Sequence, residues 1–490
     1  MRKFLFPGLV GLLMLILAAC GSSATAVPAA KQAPAAPAAP AAVAAPAAQP
    51  AAPAVVAAPA AAAKPAAPAP AAVAAPSVSP ALAAYAAKVA GKPGAIYVGD
   101  IKQLVGLAAT KEEGGLSGEV PLDALTRHLY IYESPYYKNI LEKANLANPT
   151  QLVSSGKKIS IQHTCINRTL LHCAIVESFF GPNLDKRTNG QLKLTISSLP
   201  ELGLGGPDTL RLVQDGTLAM ADVYSGFVAG DLPAIEIQSL WGMFADQRAQ
   251  YDVTTVLNSD LEKLVRDATG GSFIINHNWV AGIDQFFFCN TKILTLADFK
   301  GKKTRSHGTA ISDWIEGMGA SAQFVPFGDV YTALERGILD CGVTGATPAH
   351  GQPWYEVSKY INGPLVSFFN TNNVINKDVW SKIPPDLQQI MIEEGAKSEL
   401  EGMRLASIQN ETGVLKLQKA GMELVEFSQE LKDYSYNVAV LGRVLPGWVK
   451  RVGGPASPWA KIFNEKVTPI VGLRIEPDGK IAKVPVTKVR

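Results

Sequence analysis

The run Gln191–Tyr224, "QLKLTISSLPELGLGGPDTLRLVQDGTLAMADVY", decides the fold class. "QLKLTISSL" alternates apolar and polar residues, the period of a half-buried strand. "PDTLRLVQDG" carries leucines at helical spacing and stops at a glycine, a common helix terminator. "LAMADVY" is a second short apolar run of strand type. Strand, helix and strand in so few residues are the grammar of a mostly parallel sheet covered by helices.

Working outward, the same grammar continues. Upstream, "KISIQHT" (158–164) predicts a strand, and Leu171, Ile175 and Phe179 recur at i, i+4 and i+8 of a helix. Downstream, "SFIINHN", "GIDQFFFC", "KTRSH" and "QFVPF" predict strands, and "ISDWIEGMGA" and "GDVYTALERGI" helices. In "GIDQFFFC", Phe286 and Phe288 face one side and Phe287 the other, so both faces of that strand are expected to be buried. A long helical pattern runs from Pro384 to about Ala420, opened by a proline pair. The expected architecture is therefore α/β: two lobes joined by crossing segments and a long connecting helix. Ligands of such folds bind at the carboxyl ends of strands and between lobes.

The chain has 490 residues, too many for one core, and 45 basic against 42 acidic residues leave a net charge of +3. That balance argues against nucleic acid as a partner. "MRKF" followed by "LFPGLVGLLMLILAA" has the order of a secretory signal, expected over residues 1–19. Leu17-Ala18-Ala19-Cys20 resembles a bacterial lipobox, which implies cleavage before Cys20 and its acylation, hence an extracytoplasmic protein anchored to a membrane by lipid. Residues 20–82, starting at that cysteine, are nearly all Ala, Pro and Val and predict a disordered tether. Residues 83–156, with a possible strand in "GAIYVGDIKQLVGLA" and a helix in "PYYKNILEKANL", are expected to form a small appendage with no assignable role. The solute-binding unit is expected over 157–490.

"DFKGKKTR" (298–305) and "PFGDVYTALERGILDC" (326–341) carry the resemblance that names a function. They are similar to the "D-x-K-G-x-K-x-R" and "P-x-x-E/D-V-Y-x-A-L-x-x-G-x-x-D-G" segments of the solute-binding proteins of tripartite ATP-independent periplasmic (TRAP) transporters, family 7 of the extracellular solute-binding proteins. "KRTNGQLKLTISSLPELG" and "VQDGTLAMADV" resemble the family's upstream segments. The likeness spans about residues 158–450. It implies a two-lobed periplasmic-binding-protein (Venus flytrap) fold and a receptor that captures an organic acid and delivers it to integral membrane subunits, without ATP, cofactor or catalysis. The same fold also serves ABC permeases and sensors, the alternative reading.

Residue roles follow from the resemblance. Arg305 matches the family arginine that grips the ligand carboxylate, and a guanidinium suits that task as a planar fork of permanent charge. Lys300, Lys302 and Lys303 are read as solvated charges. Phe327 stands where relatives place an aromatic over the ligand. Thr344 replaces a frequent asparagine. Gln285 stands where sialic-acid-binding members carry a second arginine, and Tyr224 where they carry a carboxylate; Cys341 replaces a glycine. Losing that arginine and carboxylate while keeping many aromatics suggests a monocarboxylate with a partly apolar body. His163, at a strand end, is a further pocket candidate; Trp354 and Trp241 are read as packing residues, with Trp354 the better pocket candidate of the two.

Other chemistries find little support. "HTCINRTLLHC" groups His163, Cys165, His172 and Cys173, but the spacing fits no structural zinc pattern. In an oxidising compartment disulfides are expected instead, with Cys165–Cys173 and Cys289–Cys341 the candidate pairs. "LGLGGPDTL" lacks a Walker lysine, and no G-x-S-x-G or zincin motif is present.

Overall fold

A computed structural model describes residues 134–244, 247–279, 284–367 and 370–487. Its strands in chain order are β1 (Ile159–Cys165), β2 (Leu192–Ser198), β3 (Met220–Tyr224), β4 (Phe273–Trp279), β5 (Asp284–Cys289), β6 (Lys303–Ser306), β7 (Ser321–Phe324), β8 (Cys341–Thr344), β9 (Tyr360–Val366), β10 (Asn370–Ile375) and β11 (Glu423–Glu426). The helices that matter most here are α1 (Pro135–Ala144), α2 (Gln247–Ala268), α3 (Thr309–Gly317) and α4 (Pro385–Lys419).

The strands form two sheets, ordered β2-β1-β3-β10-β4 and β11-β9-β5-β8-β6-β7. Each is mostly parallel with one reversed strand. β10 runs antiparallel to β3 and β4, and β5 runs antiparallel to β8 and β9. The reversal follows from the connectivity: the chain passes from the first sheet to the second between β4 and β5, and returns between β9 and β10. The two-lobed α/β expectation holds. Phe286, Phe287 and Phe288 are all buried, as their alternation between two covered faces requires.

α4 begins at Pro385, whose fixed φ suits the first helical position, with Pro384 extended before it. Leu387, Ile390 and Met391 pack into the core of the first lobe, while Leu417 joins the apolar cluster of Phe288, Trp354 and Ile361 in the second. One helix thus spans both lobes. At Gly413 an added Cβ would lie 2.3 Å from the Thr347 backbone nitrogen, so the close crossing there requires glycine. α2 is shared in the same way, with Val253 and Leu257 in the second lobe and Val265 in the first.

Two local expectations change in detail. The helix from Leu171 contains a π turn at Val176–Phe180. The wider turn rotates the downstream face, so Phe180 is buried in place of Phe179. Of the segment 83–156, residues 134–156 lie against the body: α1 buries Tyr136, Tyr137 and Ile140, and Tyr136 stacks on Tyr251 of α2 at 5.2 Å. Three carboxylates of α4 hold this stretch. Asp386 accepts from the backbone N–H groups of Val153 and Ser154, Glu393 from Asn145 and Thr150, and Glu399 from the Tyr136 hydroxyl. The rest of that segment, the signal and tether regions and Cys20 lie outside the described residues. Both expected disulfides are present, with Cα separations of 5.4 Å for Cys165–Cys173 and 4.4 Å for Cys289–Cys341.

Candidate functional site

β6 ends at the cleft between the lobes, and its burial pattern separates its charges. Lys303 is exposed, whereas Thr304, Arg305 and Ser306 are buried. Arg305 is 3% exposed. Its Nε–H donates to the Val325 carbonyl at 3.0 Å and an Nη1–H to the Val343 carbonyl at 2.7 Å. Its guanidinium lies 5.6 Å from the Phe327 ring centroid. No carboxylate among the described residues pairs with it. Burial pushes its pKa down to about 9, with Tyr224 acting weakly the other way, so the group remains a desolvated cation at neutral pH. Nη2 and the second Nη1–H are left for an incoming acceptor.

Arg305 lines a cavity of about 30 Å3 between the lobes. The second lobe also contributes His307, Phe327 and Thr344; the first contributes Ile166, Leu170, Tyr224 and Phe227. That volume suits a water or two and is below the size of an organic acid, so the walls must separate to admit one. Each wall is placed by its own support. The loop bearing Ile166 and Leu170 is bracketed by Cys165–Cys173, and the Ile166 N–H donates to His172 Nε2 at 3.2 Å. Burial first, and His163 beyond it, holds the His172 pKa down to about 4 against the pull of Asp222. Glu236 caps α3, accepting from Thr309 Oγ1 at 2.6 Å and the Ala310 N–H at 3.0 Å, and so steadies the turn that carries His307.

The lobes meet beside the cavity. The Tyr224 hydroxyl and His307 Nδ1 lie 3.1 Å apart. Gly226 and Gly308 meet backbone to backbone, where a Cβ on Gly308 would lie 2.8 Å from Gly226 Cα. Phe227 approaches Phe324 edge-on at 6.2 Å. Burial, then the nearby Arg305 charge, holds the His307 pKa well below the usual histidine value, leaving a neutral ring. Burial raises the Tyr224 pKa, so its hydroxyl is protonated.

Of the residues expected from sequence, Arg305, Phe327, Thr344 and Tyr224 come together at the cavity. Trp354 lies behind Phe327, with ring centroids 5.7 Å apart, and also packs on Phe288. His163 turns to Asp222 at 2.9 Å inside the first lobe. Gln285 is fully buried on β5 and outside the lining, its amide atoms without a hydrogen-bond partner among the described residues. Trp241 packs between His307 and Trp314, as assigned. Sequence reasoning missed His307, although its place two residues beyond Arg305 at the same strand end was a usable signal. It also missed Ile166, Leu170 and Phe227, which read as ordinary core residues. Among the described residues no group of histidines, cysteines and carboxylates could hold a metal ion.

Comparison with known proteins matches residues 162–437, more than half of the chain, to the family described as bacterial extracellular solute-binding protein, family 7. The 2,3-diketo-L-gulonate-binding periplasmic protein YiaO of Escherichia coli is 23% identical over 276 residues, which cover 56% of this chain and 82% of that protein. A monocarboxylate 2-oxoacid-binding periplasmic protein of Nostoc sp. is 23% identical over 267 residues, covering 51% and 69%. The fold matches the crystal structure of DctP7, a Bordetella pertussis extracytoplasmic solute receptor binding pyroglutamic acid, with TM-score 0.58 and 18% identity over 64% of this chain and 99% of that one.

Proposed function

The chain belongs to family 7 of the bacterial extracellular solute-binding proteins, a family of receptors and not of enzymes, and we propose that it captures an organic acid through an Arg305–carboxylate pair for a TRAP-type transporter. The observation that carries this reading is a guanidinium, buried and without a carboxylate partner among the described residues, at the wall of an interlobe cavity. A desolvated cation of that kind is costly, and an incoming carboxylate relieves the cost while matching its donors. Phe327 supports the guanidinium from one side, and Tyr224, His307 and Thr344 offer neutral polar contacts.

In this mechanism the open lobes admit the acid, its carboxylate pairs with Arg305, and closure brings Tyr224 towards His307 and Gly226 towards Gly308 as far as the bound acid allows. Expelling water strengthens the ion pair by lowering the local dielectric. The closed form then docks on integral membrane subunits, which take the ligand across. Cys20 is proposed as the acylated anchor and residues 20–82 as the tether that lets the receptor reach those subunits from the outer face of the membrane. Relatives named for 2-oxo acids, diketogulonate and pyroglutamate support an acid as the cargo.

A thermal-shift panel of organic acids and their amides tests the reading. A ligand at a hundred times its Kd stabilises the native state by about 2.7 kcal/mol, a rise in Tm of several degrees. A rise with an acid and none with its amide is expected. A rise with amides or neutral sugars and with no acid would remove Arg305 from the role of anchor.

A further inference from the structure

We infer that the site selects a compact monocarboxylate with an apolar body and at most one further hydrogen-bonding group, and rejects dicarboxylates and polyhydroxy sugar acids. This rests on the reading of Arg305 as the carboxylate anchor and goes beyond it by naming the class of acid. The argument is an inventory of the cavity walls. Among the described residues Arg305 supplies the one cationic group in the lining. His307, the remaining basic side chain there, is held neutral by burial and by Arg305 itself. A second carboxylate on the ligand would therefore be buried without a counter-charge, which closure would penalise heavily.

The neutral polar groups are few and already engaged with each other. Tyr224 and His307 share a hydrogen bond at 3.1 Å, leaving Thr344 as the additional lining hydroxyl. A sugar acid brings several hydroxyl groups, each needing a partner. Against them stand Ile166 and Leu170, joined by Phe227 and Phe327. These four side chains belong to, or pack on, one apolar cluster that continues into Phe286, Phe288 and Trp354, so they are backed by core. An oxo or hydroxyl group beside the carboxylate could be met by the tyrosine–histidine pair or by Thr344. An aliphatic or small cyclic body would fill the apolar half. The narrow cavity and the glycine–glycine seam beside it favour a small body, because a larger one would hold Gly226 and Gly308 apart.

Isothermal titration of the mature protein with three probes decides the matter: 4-methyl-2-oxopentanoate, succinate and D-glucuronate, each repeated with Arg305→Met. The branched oxo acid is expected to bind at least about 100-fold more tightly than the other two, the scale on which an apolar pocket discriminates against one added hydroxyl. Its binding is expected to be lost in the Arg305→Met protein. Succinate or glucuronate binding equally or more tightly, and losing affinity with Arg305→Met, would overturn the selectivity and leave the anchor standing. Binding of any probe that is unchanged by Arg305→Met would overturn the anchor. Binding of none of the three would overturn the selectivity, and the acid-against-amide panel would then judge the anchor alone.

Discussion

Replacing Arg305 by methionine separates a ligand anchor from a structural one. Burial lowers the arginine pKa to about 9, which at 1.36 kcal/mol per unit is a charging cost of about 5 kcal/mol in the folded state. Against it stand bonds to two carbonyls and one aromatic face. Hydrogen bonds to a charged donor contribute about 1.5–3 kcal/mol each, and the ring about 0.5–2 kcal/mol. The terms nearly cancel, so without ligand the arginine contributes close to nothing to stability. Methionine keeps much of the packing volume and removes the charge. Urea unfolding of Arg305→Met without ligand should therefore give a stability within about 2 kcal/mol of wild type, after allowing for two carbonyls losing a donor. With the ligand the difference should be large: losing one partner of a buried charged pair costs about 2–5 kcal/mol of binding, roughly 30-fold to several thousand-fold in Kd. Loss of more than about 4 kcal/mol without ligand, the scale of a broken structural ion pair, together with unchanged acid binding, would refute the reasoning.

Gly308→Ala should hinder closure because its Cβ would meet the Gly226 backbone; affinity should fall while the ligand contacts remain intact, and solution scattering with ligand should show a more open particle than wild type. Acid should weaken the fold. His172 and His277 are buried and titrate near 4 in the native state, against about 6.5 unfolded, so the unfolded chain takes up protons first and stability falls as pH drops from about 6.5 to 4. Glu399 works the other way: burial raises its pKa to about 7, so stability is gained as pH falls from 7 towards its unfolded value of about 4.3. Unfolding midpoints measured against pH should flatten on the acid side in His172→Gln, and an unaltered slope would contradict the assignment. Removing Cys289–Cys341, which spans 52 residues, with the double substitution Cys289→Ala and Cys341→Ala should cost about 4 kcal/mol on the loop-entropy estimate, read as a lower urea midpoint.

How much of this was legible in the sequence depends on range. Strands such as β1, β2 and β5 and the long helix α4 are set by local periodicity and by Pro385, and they could be read directly. That disulfides form follows from an oxidising compartment, whereas the pairing is set by the fold, since four cysteines allow three connectivities. Arg305 was legible only through the "D-x-K-G-x-K-x-R" likeness, since nothing local distinguishes it from Lys303 in the same strand. His163 shows the limit: its strand-end position pointed to the cleft, but its partner Asp222 lies on β3, a pairing that sheet order creates and sequence spacing does not reveal. From sequence Phe327 reads as a pocket candidate and Trp354 as more a packing residue, and the structure places Phe327 at the cavity and Trp354 behind it, against Gly342 and Phe288. Ile166 and Leu170 carry no sign of a binding role, because an apolar pocket wall and a core face use the same residues.

The most direct test of the central claim is a crystal structure with the tightest-binding acid of the panel. The account predicts its carboxylate between the lobes, with its oxygens about 2.7–2.9 Å from Arg305 nitrogens and the uncharged body against Phe327. An acid bound in that cleft with its carboxylate turned away from Arg305, or bound elsewhere on the molecule, would contradict it.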